Sequence, residues 1–163
     1  MKYFIRIPEV RKNLLKKNEK HKKMLEEFTD TKIEIDDDIG IEGESFNVYQ
    51  TKQILKAFGR GFEMDDALNL LEDEYGLEII NLTDFCKTKE RLKTLKGRII
   101  GTEGKTKNYI EKYCDVKLSV FGKTVSIIGQ WDKINIGKEA VMKIIGGCAH
   151  RTLYRWLERL PVE

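Results

Sequence analysis

Apolar and polar residues alternate along the chain in an order that occurs twice. Short isoleucine-rich runs at 3–7 and 77–82 predict strands. Each run is followed by a basic helix, by a tight turn, and by a second helix whose apolar residues recur three or four positions apart. Those apolar residues are Met24, Leu25 and Phe28 in the first half and Tyr109, Ile110 and Tyr113 in the second.

Two further strands and a closing helix complete each half. The strands are predicted at 32–36 and 46–49 in the first half, and at 117–121 and 124–128 in the second. The closing helices are predicted at 51–58 and 131–145, and both are followed by glycines, which adopt the left-handed conformation that helix ends favour. Helices on one face of a three-stranded sheet would bury the apolar side of every element. The pattern therefore predicts an α+β fold of two βααββα modules.

The two halves are also related residue by residue, at an offset of 85 positions. Leu25 and Glu26 match Ile110 and Glu111, and the agreement includes apolar and charged positions alike. We therefore predict a first module at 1–62, a connecting amphipathic helix at 63–76, and a second module with a C-terminal helix at 77–163.

The turn between the two helices of the second module carries the candidate chemistry. Glycines at its first and fourth positions, Gly101 and Gly104, allow a tight turn and let a phosphate approach the backbone without a Cβ in the way. The helix that follows directs its N–H groups and its positive dipole end to the same place. The candidate binding residues of this segment are Arg98, Ile99, Ile100, Gly101, Thr102, Glu103, Gly104, Lys105, Thr106 and Lys107.

These residues resemble the KH family of RNA-binding domains. An Ile-Ile-Gly-x-x-Gly-Lys turn between two helices, followed by two strands and a helix, is similar to the type I KH module, whose loop clamps about four nucleotides of single-stranded RNA. In that family the bases lie in an apolar groove beside the loop. The resemblance implies that Ile99, Ile100, Ile110 and Leu118 line this groove, with Val120 as an addition; alternatively, these residues are simply core.

The first module lacks both glycines. By the 85-residue offset, Gly101 and Gly104 correspond to Lys16 and Glu19. Without glycines the turn cannot bring its backbone as close to a phosphate. We expect a degenerate module that supports the second one, contacts RNA through side-chain charge alone, or binds a protein partner.

Longer runs resemble the archaeal members of the partner-of-Nob-one family. They include the turn at 59–62, the run at 120–129, and the ending at 146–158. Membership implies a non-catalytic ribosome-assembly factor that binds pre-rRNA near the three-prime end of small-subunit rRNA. It also implies cooperation with the Nob-one endonuclease and a link to the alpha subunit of translation initiation factor two.

Composition excludes several classes of protein and several kinds of site. Charged residues make up 35% of the chain but the net charge is only +3, so any nucleic-acid surface must be local, as in the basic segments 11–23 and 87–107. Three widely spaced cysteines fit neither a disulfide framework nor a metal site. No apolar run approaches the roughly 20 residues that span a bilayer. We expect a cytoplasmic protein with reduced thiols, no cofactor, no metal and no membrane association.

Two other functions compete with RNA binding. A metal-dependent nuclease would use the acidic residues Asp36, Asp37, Asp38 or Glu42, although adjacent strand side chains point to opposite faces and do not converge on a metal. A protein-interaction scaffold would bind RNA only incidentally. His150, next to a predicted helix start, either stacks on a base, bonds a phosphate, or packs within the fold.

Overall fold

The computed structural model describes residues 1–161 and divides the chain into two compact units, Met1–Asp73 and Glu74–Glu163. The first unit contains three strands and four helices. Its elements are β1 (Lys2–Ile5), α1 (Glu9–Lys17), α2 (Glu19–Thr29), β2 (Lys32–Ile35), β3 (Ile39–Glu42), α3 (Ser45–Gly59) and α4 (Met64–Ala67), with a 3-10 turn at Leu68–Leu71.

The second unit repeats this order, and its last helix has nine residues where α4 has four. Its elements are β4 (Tyr75–Asn81), α5 (Lys89–Ile100), α6 (Lys105–Cys114), β5 (Lys117–Phe121), β6 (Thr124–Gln130), α7 (Trp131–Ile145) and α8 (His150–Glu158), with 3-10 turns at Leu82–Asp84 and Thr102–Gly104. The end of the predicted second module, at residue 163, lies outside the described residues.

The sheet topology is the same in both units. The strand order is β1-β3-β2 in the first and β4-β6-β5 in the second, and every pairing is antiparallel. The last strand of each module lies in the centre, so the chain passes from one edge strand through two helices to the other edge. The predicted α+β fold of two βααββα modules is confirmed.

The repeat is visible in a hydrogen bond made twice. Glu26 Oε2 accepts from the backbone N–H of Ile33, and Glu111 Oε2 accepts from that of Leu118, both at 2.9 Å. In each module this bond ties the second helix to the strand that follows it. The offset of 85 residues holds for both partners.

The offset does not extend through the turn. Leu14 and Leu15 were matched to Ile99 and Ile100, but Leu14 is 47% exposed, whereas Leu15 and Ile99 are the fully buried residues. The buried positions are therefore 84 apart. A single residue separates α1 from α2, whereas four separate α5 from α6, and this longer turn displaces the register.

The strand predicted at 46–49 is wrong. These residues lie in α3, and the third strand of the module is Ile39–Glu42. The apparent alternation misled because Phe46 and Tyr49 are exposed apolar side chains, 62% and 59% accessible. The buried positions of α3 instead recur at helical spacing: Val48, Thr51, Ile54, Leu55 and Phe58.

The segment predicted as a connecting helix, 63–76, has a different internal structure. It comprises the short α4, a 3-10 turn, and the first residues of β4, which begins at Tyr75. Residues 63–73 belong to the first compact unit.

The core of the second unit includes its last helix. Leu153 and Leu157 of α8 are fully buried against residues of α5, α6 and α7, among them Ile99, Ile110 and Ile144. Helix α8 thus packs into the module rather than projecting from it, and it lies beside the candidate loop.

Candidate nucleic-acid interface

The turn between α5 and α6 is held in a conformation that requires glycine. Gly101 has φ +76° and ψ 173°, Glu103 has φ +56°, and Gly104 has φ +77°. The Gly101 N–H donates to the Gly97 carbonyl at 2.8 Å and so ends α5, while the Gly104 N–H donates to the Gly101 carbonyl at 3.2 Å. Three left-handed residues among four reverse the chain within one turn.

The two glycines are needed for different reasons. A Cβ on Gly101 would lie 2.3 Å from Thr106 Oγ1 and 2.7 Å from the Thr106 backbone nitrogen. A Cβ on Gly104 would meet only Asn108 Nδ2, at 3.9 Å. Gly101 therefore permits the turn to pack on α6, whereas Gly104 leaves open space in front of the helix N-terminus.

Positive charge at the loop comes chiefly from Lys105. It forms no ion pair within residues 1–161, and its Nζ lies 5.2 Å from the ring centroid of Tyr154 and 5.9 Å from that of Tyr109. Lys107 is partly neutralised by Glu111, at 3.8 Å. Because aromatic faces attract cations, the two rings hold the Lys105 ammonium close to the first turn of α6.

Thr106 lies beneath the loop. Its side chain is fully buried, and its Oγ1 shares a 2.8 Å hydrogen bond with the Tyr154 hydroxyl of α8. The ring of Tyr154 lies 4.4 Å from that of Tyr109. The apolar pattern of the second helix included Tyr109 but did not indicate a role at the site, and Tyr154 was missed; its signal was the apolar face of the C-terminal helix, where it lies between Leu153 and Leu157.

Arg98 is turned toward the closing helix. Its guanidinium donates to the carbonyls of Ile144, at 3.0 Å, and Cys148, at 2.6 Å. His150 Nε2 donates in turn to the Arg98 carbonyl at 2.9 Å. These contacts join the end of α5 to the end of α7 and the start of α8, so Arg98 and His150 both brace the turn.

The first module contains a matching arginine contact. Arg11 donates to the carbonyls of Phe58, at 2.8 Å, and Phe62, at 2.7 Å. Burial lowers the pKa of Arg11, against a smaller opposing effect of Glu63. In both modules an arginine of the first helix therefore satisfies carbonyl groups at the end of the closing helix.

The apolar residues assigned to the groove are unequally accessible. Ile99, Ile110 and Leu118 are buried, whereas Ile100 and Val120 are half-buried and reach the surface. Thr102 and Glu103, in the middle of the loop, are exposed. The loop, Lys105 and the outer part of α5 thus form the accessible part of the predicted site.

The corresponding turn of the first module has no open backbone. Asn18 alone separates α1 from α2, with φ −105°, and its side chain accepts from the His21 N–H at 3.2 Å. The side chain thus satisfies a first-turn N–H of α2, which in the second module remains free of any side-chain cap.

Two of the acidic residues considered for a nuclease contact a cation, one through its carboxylate and the other through its backbone carbonyl. Asp38 accepts from Arg6 at 2.8 Å, and the Asp37 carbonyl accepts from Lys12 at 3.1 Å. Within residues 1–161, no group of three or more His, Cys, Asp or Glu side chains is placed to hold a metal ion. No helix in that same range is long and apolar enough to cross a membrane.

Comparison with known families identifies the second module. The model of the second KH domain of PNO1 proteins, a eukaryotic type KH-domain (KH-domain type I), matches residues 76–161. The KH domain-containing protein MJ0443 of Methanocaldococcus jannaschii is 39% identical over 145 residues, which are 85% of this chain and 64% of that protein. The pre-rRNA-processing protein pno1 of Emericella nidulans is 30% identical over 115 residues, 69% of this chain and 45% of that protein. This chain therefore spans less than two thirds of these relatives.

Two solved structures resemble nearly the whole chain. Dim2p from Pyrococcus horikoshii OT3 superposes with a TM-score of 0.88 at 38% identity, covering 98% of this chain and 99% of that one. The chain matched in the a/eIF2alpha-aDim2p-rRNA complex from the same organism gives a TM-score of 0.87 at 38% identity, with 98% and 93% covered. The resemblance to two KH modules, inferred from the Gly-x-x-Gly turn and its flanks, is confirmed.

Proposed function

Because the chain belongs to the PNO1/Dim2 family of KH-domain ribosome-assembly factors, we propose that it binds single-stranded RNA through residues 101–104 of its second module. The observation that carries the proposal is the open space at Gly104, in front of the N-terminus of α6. A phosphate at this point meets a first turn without a side-chain cap, the positive end of the helix dipole, and the Lys105 ammonium.

The loop binds the RNA backbone, and the neighbouring surface receives the bases. Half-buried Ile100 and Val120 offer apolar contacts beside the loop. Buried Ile99 and Leu118 act through the shape they give to this surface. Thr102 and Lys107 add a hydroxyl and a partly neutralised charge at its margin, and Glu103 weakens binding slightly by its negative charge.

Replacing Gly104 by aspartate tests the loop directly. The side chain fills the open space and adds a negative charge there, so Gly104→Asp loses most RNA affinity while the far-UV circular dichroism spectrum stays unchanged. Gly147→Asp is the matched control, because Gly147 also has positive φ, at +94°, with no atom within 4 Å of a Cβ. A folded Gly104→Asp protein that binds as tightly as the control would remove the loop from the site.

The bound RNA is proposed to be ribosomal. Relatives are named as pre-rRNA-processing proteins, and the similar Pyrococcus Dim2p occurs in a complex with rRNA and a/eIF2alpha. We propose that this chain binds pre-rRNA near the three-prime end of the small-subunit rRNA in the cytoplasm. Crosslinking in cell extract, followed by sequencing of the bound fragments, tests this; a signal spread over messenger RNAs would refute it.

The protein partners are proposed on the same family grounds. They are the Nob-one endonuclease, for which this protein would hold the RNA substrate, and the alpha subunit of translation initiation factor two. The first module, with its closed turn at Asn18, is the candidate surface for a protein. Pull-down with each purified partner tests whether the first module binds it. Binding by the intact protein is compared with binding by variants of exposed first-module residues.

We further propose that the protein is not itself a nuclease. The support is that the Asp38 carboxylate is paired with Arg6 at 2.8 Å. Incubation with magnesium and a pre-rRNA three-prime fragment tests the point. RNA cleavage by the wild-type protein that is lost in Asp37→Asn would show that the protein is a nuclease.

A further inference from the structure

A cleft of about 410 Å³ lies in the second module at the opposite end of α5 from the loop. Its walls are the connection between β4 and α5, the first turn of α5, and the turn between β5 and β6. Three lysines surround it, Lys87, Lys89 and Lys123, while Cys86 and Leu92 contribute half-buried, less polar surface.

The three lysines are exposed and unpaired. None of them forms an ion pair within residues 1–161. Ammonium groups gathered around one concavity raise its positive potential, and such clefts concentrate anions. The cleft therefore favours a multiply hydrogen-bonding anion over a neutral or cationic group.

The first module has a cleft at the equivalent place, and its cations are already neutralised. That cleft, of about 560 Å³, lies between the β1–α1 connection and Asp37 of the β2–β3 turn. Lys12 Nζ is 3.1 Å from Glu9 Oε2 and donates to the Asp37 carbonyl, and Arg6 bonds Asp38 at 2.8 Å. The duplicated fold thus provides an internal comparison, in which only the second module leaves its cleft cations available.

We propose that the cleft of Lys87, Lys89 and Lys123 binds a second phosphodiester group of the RNA strand held at Gly104. This proposal rests on the proposed function of the loop. Helix α5 has 12 residues, and at 1.5 Å per residue it separates the two sites by about 18 Å. A strand that follows α5 is then held at both ends of the helix, with its bases over the surface between them.

Two sites at this separation give a requirement on RNA length. A Gly-x-x-Gly loop clamps about four nucleotides, so a strand of that length occupies the loop alone. A longer strand, of about 12 nucleotides, is within the range that single-stranded binding folds cover and reaches the cleft as well. The cleft therefore contributes affinity only to the longer RNA.

The test compares two triple variants of the full chain, matched in charge. The cleft variant removes the three cleft cations by Lys87→Gln, Lys89→Gln and Lys123→Gln. The control variant removes three exposed cations elsewhere by Lys56→Gln, Lys112→Gln and Lys117→Gln. Affinity for fluorescein-labelled single-stranded RNAs of about 4 and about 12 nucleotides is measured by anisotropy over a salt series.

The cleft variant is expected to bind the longer RNA about tenfold more weakly than the control, the sum of three modest exposed charge contacts. The slope of log K against log salt becomes shallower by about 0.7, the contribution of the one phosphate that the cleft neutralises on a single strand. Binding of the short RNA stays at the control value. Equal affinities and equal salt slopes of the two variants for the longer RNA would refute the proposal that the cleft binds RNA.

The result separates the cleft from the loop. If Gly104→Asp weakens binding of both RNAs but the cleft variant binds them like its control, RNA binding at the loop is supported and the cleft proposal is refuted. If the cleft variant binds the longer RNA more weakly but Gly104→Asp changes the affinity for neither RNA, the proposed function of the loop is refuted. A wild-type protein that binds neither RNA overturns both.

Discussion

The unequal surroundings of Gly101 and Gly104 predict that alanine at these positions has very different effects on stability. At Gly101, φ +76° with ψ 173° lies in a region almost exclusive to glycine, where other residues cost about 1–3 kcal/mol. The new methyl group would also lie 2.7 Å from the backbone nitrogen of Thr106. Overpacking against backbone adds about 1–3 kcal/mol.

The expected loss for Gly101→Ala is therefore about 2–6 kcal/mol, with about 3 kcal/mol as a working value. Gly104→Ala bears only the left-handed backbone cost, about 1–2 kcal/mol, because no atom comes closer than 3.9 Å. For a unit of this size each kcal/mol lowers Tm by about 4–8 °C. The second unit should thus melt about 12–24 °C lower with Gly101→Ala.

Thermal and urea unfolding followed by circular dichroism measures both variants. Gly147→Ala is the control for backbone strain, since its φ is +94° and its surroundings are empty. Gly104→Ala should resemble this control in stability yet bind RNA more weakly, because its methyl group enters the space proposed for a phosphate. Equal losses of stability for the two loop variants would refute the steric distinction between them.

Three smaller changes test the supports of the loop and the core. Tyr154→Phe removes the bond to Thr106 and should lower the free energy of unfolding by about 1 kcal/mol, read by urea unfolding, with weaker RNA binding read by anisotropy. Arg98→Ala removes two hydrogen bonds from a charged donor, and although the Ile144 carbonyl keeps the Gly147 N–H, the substitution should cost about 2–3 kcal/mol; restoration by Arg98→Lys would contradict the two-carbonyl geometry. Burial raises the pKa of Cys114 from 9.0 to about 12. Its thiol should therefore resist a thiol reagent at pH 8 while half-buried Cys86 reacts. The unfolded thiol ionises first, so the free energy of unfolding falls as the pH rises from 9 toward 12, a decline that Cys114→Ala should remove.

Elements with strong and uninterrupted periodicity were predictable from the sequence. The closing helix predicted at 131–145 has those bounds in the structure, because its buried residues recur at helical spacing and glycines follow it. The third strand of the first module was not predictable in this way. Gly40 interrupts its apolar run, and the ring of Phe4 from the adjacent strand covers the place of the missing side chain. That compensation comes from a contact 36 positions away in the chain, which a local pattern does not contain.

The residues of the candidate site also differ in whether the sequence alone predicts their role. Gly101 and Gly104 were identifiable because local backbone conformation demands glycine. The orientation of Arg98 was not, since its partners Ile144 and Cys148 lie 46 and 50 positions later. Thr106 likewise appears in sequence as an exposed polar neighbour of two lysines, and only the position of Tyr154 explains its burial. The local backbone conformation was predictable from the sequence, whereas the direction of these side chains depended on packing with residues far along the chain.

The packing of α8 has a consequence for how the second module behaves as a unit of inheritance and engineering. The βααββα formula ends at α7, but Leu153, Tyr154 and His150 of the next helix complete its core and brace its loop. A cassette cut at the end of α7 would carry the Gly-x-x-Gly sequence without the support of its conformation. The unit that holds the Gly-x-x-Gly loop in its conformation therefore has seven elements, and recombination that preserves this conformation must exchange all of them together.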